Sequence, residues 1–98
     1  MLLLKATNVW HVKGKQMKQL LKFSASWCQP CKSLAGNLKH VDLKDVELKE
    51  VDIDENIDEA KKYGIRGVPT LVLLNDGVEV GRKSGVMMAD KIEEFIHG

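Results

Sequence analysis

Leu20-Leu21-Lys22-Phe23-Ser24-Ala25-Ser26-Trp27-Cys28-Gln29-Pro30-Cys31-Lys32 contains the only two cysteines in a chain of 98 residues. Its first half, Leu20–Ala25, is a continuous apolar-rich run interrupted by Lys22, which predicts a central strand. Ser26-Trp27 leads out of that strand into a helical pattern from about Cys28 to Lys39, with Leu34 and Leu38 four apart on one face. Pro30 is tolerated because it falls in the first turn, where its missing N–H has no intrahelical partner. Cysteines at this spacing close as a disulfide or open as a dithiol, so the pair can carry two electrons.

Upstream, Leu2–Lys5 reads as a short first strand. Asn8–Gln16 is ambiguous, since Val9, Trp10 and Val12 suit one helical turn that Gly14 would stop. Downstream, Val46–Ile53 predicts a second buried strand, with Val46 and Leu48 out of phase with Val51 and Ile53. Asp54 or Glu55 leads into a short helix over Asn56–Tyr63, closed by Gly64 in a left-handed cap. Thr70–Leu74 is a strand apolar enough to be covered on both faces. Asn75-Asp76-Gly77 is a strong hairpin signal, so Val78–Ser84 returns antiparallel as an exposed edge bearing Glu79, Arg82 and Lys83. Gly85 breaks that strand, and a final helix over Ala89–His97 sets Ile92, Phe95 and Ile96 against the sheet. Strand–helix–strand units followed by a hairpin give an α/β fold: one domain over residues 1–98, with a mixed four- to five-stranded sheet and helices on both faces.

Composition narrows the function. A 44% apolar content supports a single modest core. No stretch reaches the roughly 18 apolar residues of a membrane span. Met1-Leu2-Leu3-Leu4 meets Lys5 too soon for a secretory leader, so a cytoplasmic monomer is expected. Structural disulfides are rare in that compartment. Net charge is +1, but the first 41 residues carry seven lysines and no carboxylate, while residues 42–59 carry nine acids. The lysines lack interleaved arginines or aromatics, which argues against nucleic-acid binding.

Three readings compete for Cys28 and Cys31. A zinc half-site needs a second pair of ligands, and His11, His40 and His97 are scattered without ligand spacing, so no metal is expected. Inert core thiols are the bland alternative. Against it stands the position of the pair at a strand-to-helix junction. A helix start presents unpaired N–H groups and the positive end of the dipole, which favour a thiolate at Cys28. Cys31, one turn further in, is expected to be less exposed and suits the resolving role.

From about residue 20 onward the sequence resembles the thioredoxins. The matching pieces are Ala25–Lys32, Asp52-Ile53-Asp54-Glu55-Asn56 and Tyr63-Gly64-Ile65-Arg66-Gly67-Val68-Pro69-Thr70. The resemblance implies a protein-disulfide reductase without a bound cofactor. It implies thioredoxin reductase as electron donor and proteins such as ribonucleotide reductase as acceptors. It also implies that Pro69 is cis beside the cysteines, and that Trp27, Gln29, Pro30, Gly67, Val68, Pro69, Gly85 and Val86 form the substrate groove. The bland readings make Trp27 a core aromatic and Gly85 an ordinary turn residue.

Departures from the family pattern are informative. Gln29 stands where glycine is usual, Gly36 replaces the proline that kinks the active-site helix, and Ser24 replaces a tryptophan. Lys22 occupies the position of a buried aspartate thought to handle the proton of the second cysteine, and Glu50 the position of its lysine partner. A swapped ion pair under Cys31 that assists proton transfer is one expectation; a lysine snorkelling to water beside a surface glutamate is the other. Two rival functions remain: a glutathione-fed, glutaredoxin-like reductase and a non-catalytic binding subunit. The first is disfavoured because glutaredoxins prefer an aromatic between the cysteines.

Overall fold

Strand β1, Lys18–Ser24, has a neighbour on each side in the sheet. The structure is a computed structural model that describes residues 17–98. The expected strand at Leu2–Lys5 and the turn around Trp10 lie outside the described residues. β1 runs parallel to β2, Val46–Asp52, with Lys18 opposite Val46 and Ser24 opposite Asp52. On its other side it runs antiparallel to β3, Thr70–Asn75, with Phe23 opposite Thr70. β3 pairs antiparallel with β4, Val78–Ser84, giving the order β2-β1-β3-β4. Both faces of the sheet are covered at β1, by helices on one side and by the segment around Tyr63 and Val68 on the other, so Leu20 to Phe23 are buried one after another rather than alternately.

The two faces carry separate cores. Leu20, Val46, Leu71 and Leu73 pack with Leu34 and Leu38 of α1, Gln29–Leu38, and with Ile92 and Ile96 of α3, Ala89–His97. On the opposite face lie Leu21, Phe23, Val51, Val72 and Leu74. Tyr63, Ile65 and Val68 close over them from the segment that follows α2, Ile57–Lys62. The Phe23 and Tyr63 rings meet there, centroids 5.7 Å apart and tilted by 55°. α2 is shorter than expected and buries none of its own residues. It works as a spacer that delivers Tyr63 and Ile65, and Gly64 between them takes the expected left-handed conformation (φ 64°).

β2 differs from its expected burial for a geometric reason. Val46 and Leu48 belong to the first core, Val51 and Ile53 to the second. The change of phase leaves Lys49 and Glu50 between them exposed, and the strand stops at Asp52. It is half-buried.

The hairpin turn has both Asp76 and Gly77 at positive φ (55° and 84°), the pattern whose twist matches two antiparallel strands. Beyond it, Leu74 pairs with Glu79 and Leu73 with Gly81, so Val80 is one residue too many. Strict alternation would put Glu79 and Arg82 on opposite faces. The bulge brings them together, with Arg82 Nε and Nη2 donating to the Glu79 carboxylate at 2.7 and 2.9 Å. Nη2 also donates to the Tyr63 carbonyl at 2.7 Å, tying the edge to the loop.

The Arg82 hydrogen bonds hold the Glu79 carboxyl below the usual carboxylate range. The pair therefore stabilises the fold above the unfolded carboxylate pKa, and that contribution disappears as pH falls through the lower folded value. Arg82→Met is expected to cost less than about 1 kcal/mol at neutral pH, because the pair is partly solvated. Urea unfolding at a series of pH values should show the difference from wild type vanishing in acid. Phe23→Ala should cost about 3–5 kcal/mol in the same assay at any pH, because the ring has no exposed surface to recover.

Candidate active site

β1 ends in buried Ala25, and the chain turns at once: the Cys28 N–H donates to the Ala25 carbonyl at 3.1 Å. Cys28 keeps an extended backbone (φ −94°, ψ 109°) and is the N-cap of α1. Pro30 sits in the first turn, as its missing N–H permits. Cys28 and Cys31 form a disulfide across a Cα–Cα distance of 5.2 Å. The Cys31 N–H donates to the Cys28 sulfur at 3.1 Å, so a free donor of the helix start is spent on that sulfur.

This hydrogen bond is where the two cysteines differ. The expected difference in exposure is absent, since Cys28 is 4% and Cys31 3% exposed. Both pack with Ala25, Ile53 and Val68. The electrostatics of the helix start, rather than solvent access, single out Cys28.

Val68 comes from the loop before β3, and the Val68–Pro69 peptide is cis. Pro69 is buried. Two bonds hold this loop: Thr70 Oγ1 donates to the Gly67 carbonyl at 2.8 Å, and the Gly85 N–H donates to the Pro69 carbonyl at 2.9 Å. Gly85 has φ 92°, a left-handed value that a side chain would strain, and it carries the chain from β4 into the exposed Val86. Gly67, Gln29 and Pro30 are likewise exposed. Val68, Pro69 and Gly85 thus form one bonded unit, with Val68 packed against the cysteines.

Trp27 is no core aromatic, being 66% exposed. Its indole N–H donates to Asp54 Oδ2 at 2.9 Å. Asp54 is in turn placed by its own N–H on Asp52 Oδ1 at 2.8 Å, and the Ile53 N–H on the Ser24 carbonyl at 2.9 Å continues the β1–β2 pairing to that point. In the sequence Asp54 reads as a helix start and as part of a family-like stretch, not as a partner of Trp27. The available signal was its position just past a strand parallel to the one that delivers Trp27.

Lys22 and Glu50 face each other across β1 and β2. Lys22 Nζ lies 3.6 Å from Glu50 Oε1, the lysine side chain 5% and the glutamate 65% exposed. Lys22 shares its face with Leu20, two residues earlier, and that face is the one α1 covers with Leu34 and Leu38. The lysine side chain is buried, while Glu50 is the surface residue that the other expectation described. Among the described residues no group of three His, Cys, Asp or Glu side chains is arranged to hold a metal. No helix among them is long and apolar enough to cross a membrane.

A mixed sheet between helices with a dithiol pair at a helix start facing a cis proline defines a thiol–disulfide exchange protein. The thioredoxin family model matches residues 3–98. The thioredoxin of Bacillus subtilis is 35% identical over 81 residues, covering 80% of this chain and 78% of that one. The thioredoxin of Pseudomonas aeruginosa is 38% identical over 81 residues, covering 79% and 74%. Among solved structures, a thioredoxin variant from Halobacterium salinarum superposes with a TM-score of 0.75 at 33% identity, over 94% of this chain and 82% of that one. The thioredoxin of Fasciola hepatica gives 0.76 at 32% identity, over 89% and 86%. The chain belongs to the thioredoxin family, and it is a thiol–disulfide oxidoreductase.

Proposed function

We propose that the chain reduces protein disulfides, with Cys28 as the attacking and Cys31 as the resolving sulfur. The observation that carries this assignment is the hydrogen bond from the Cys31 N–H to the Cys28 sulfur, which favours negative charge on Cys28 in the dithiol state. The Cys28 thiolate attacks one sulfur of the substrate disulfide. A mixed disulfide forms and the other substrate sulfur leaves as a thiolate that takes up a proton. The Cys31 sulfur, deprotonated, then attacks Cys28, releasing the second substrate thiol and leaving Cys28–Cys31 oxidised. Two electrons and two protons reach the substrate.

The groove between Trp27, Gln29 and Pro30 on one side and Gly67, Val68, Pro69, Gly85 and Val86 on the other suits an extended polypeptide. The backbone before Pro69 would pair with it. We assign a flavin-containing, NADPH-dependent thioredoxin reductase as the electron donor, proteins such as ribonucleotide reductase as acceptors, and the cytoplasm as the compartment. The chain itself needs no cofactor in this scheme and works as a single-domain monomer.

Lys22 is assigned as a positioning residue for Cys31. A positive charge near a thiol favours its thiolate, and Glu50 Oε1 lies 3.6 Å from Lys22 Nζ. Its cross-strand neighbours are Glu50 on β2 and Leu71 on β3.

Insulin reduction with NADPH and a panel of thioredoxin reductases tests the reading. Wild type should turn over, Cys28→Ser should be inactive, and Cys31→Ser should accumulate a covalent substrate adduct visible by mass spectrometry. An adduct on Cys28→Ser instead would reverse the roles. Turnover with glutathione but no reductase would indicate the glutaredoxin-like role, and binding without turnover the subunit role. Lys22→Met should lower insulin reduction by roughly tenfold, below the about 10²–10⁴ of a group that itself transfers the proton. It should also alter the shape of the pH profile; an unchanged profile would remove Lys22 from the mechanism.

A further inference from the structure

The segment between β4 and α3 breaks a local rule. Met88 is the N-cap of α3, with an extended backbone (φ −75°, ψ 159°) and no side-chain cap hydrogen bond. Serine, threonine, aspartate and asparagine are the residues that stabilise this position, and methionine cannot do so. The side chain is nevertheless not spent on the core, since Met88 is 64% exposed. A stabilising cap and a buried apolar side chain have both been forgone.

The geometry around it is fixed from both ends. Gly85 is bonded to the Pro69 carbonyl, so the segment begins at the loop that packs on the cysteines. Asn37 Nδ2, in the last turn of α1, donates to the Met87 carbonyl at 2.8 Å and lies 3.9 Å from the Met88 sulfur. Between these anchors the chain alternates: Met87 packs onto the core, while Val86 and Met88 both face out. Exposed apolar atoms therefore continue from the Pro69 loop along the flank of the active-site helix. Three residues of chain, from Gly85 to Met88, span at most about 10 Å.

We propose that Met88 is a specificity-determining residue: with Val86 it forms an apolar lip that receives an apolar side chain of the substrate, two or three residues away from the cysteine under attack. The proposal rests on the protein-disulfide reductase reading. That activity requires a polypeptide to lie over Cys28, and an extended segment running past Pro69 reaches Met88 after that number of residues. A flexible, polarisable thioether suits this task because it adapts to differently shaped apolar partners.

The test compares wild type, Met88→Ser, Met88→Leu and, as a distant control, Val78→Ser at the exposed start of β4. Insulin serves as the polypeptide substrate and 5,5′-dithiobis(2-nitrobenzoate) as a disulfide too small to reach the lip. Met88→Ser should raise KM for insulin about fivefold to tenfold while kcat stays within twofold, as expected for a lost apolar contact in binding. The ratio of its kcat/KM on insulin to that on the small disulfide should fall by the same factor. Its melting temperature should hold or rise, because serine supplies the missing cap. Met88→Leu should restore the insulin KM, and Val78→Ser should leave it unchanged. An insulin KM in Met88→Ser equal to wild type, or a Met88→Leu protein as impaired as the serine variant, overturns the proposal. A wild type that leaves insulin intact overturns the reductase reading and the lip with it, whereas an active wild type beside an unimpaired Met88→Ser overturns only the lip.

Discussion

The active end of the molecule depends on the double pairing of β1. Because Lys18–Ser24 is bonded to β2 on one side and β3 on the other, its C-terminal end cannot shift without breaking two ladders. Ala25 and the turn to Cys28 inherit that rigidity. The same pairing brings in the other parts of the site: β2 ends where Asp54 meets Trp27, and β3 begins where Val68–Pro69 meets the cysteines. Three ends of strands converge on one pair of sulfurs. None of the contacts among them is strong singly, and their placement follows from a sheet register that a one-residue slip would invert.

Chemistry enters through an asymmetry too small to see in burial. The two sulfurs share a bridge, a pocket and nearly the same exposure. Only one of them receives a hydrogen bond from the start of α1. That donor points at Cys28 because an extended N-cap followed by Pro30 sets the direction of the first turn. The role of Pro30 in this arrangement is thus conformational: it fixes where a helix begins, and thereby which sulfur lies on its positive end.

Much of this was legible in the sequence. The continuous apolar run before Cys28, the Asn75-Asp76-Gly77 turn and the 3.6-residue spacing of Ile92 and Ile96 are local signals, and each element formed close to where its signal stood. The phase change in Val46–Ile53 was also readable, although its consequence, an exposed Lys49 and Glu50, requires knowing that the two faces belong to different cores. What could not be read is long-range. The Trp27–Asp54 bond joins residues 27 positions apart, and the Asn37–Met87 bond residues 50 apart. Neither pairing leaves a periodic trace. Equal burial of Cys28 and Cys31 was likewise invisible, because helix position predicts depth only until a neighbouring loop, here Val68, covers both residues.

The bulge at Val80 has a consequence for association. An end strand offers a row of backbone groups on which another extended chain can build, and this one carries exposed Val78 and Val80. The extra residue interrupts the spacing of those groups, and the Glu79–Arg82 pair clamps charge across the same stretch. A visiting strand finds no regular ladder there. The irregular β4 edge is thus built to resist edge-to-edge association of one molecule with another.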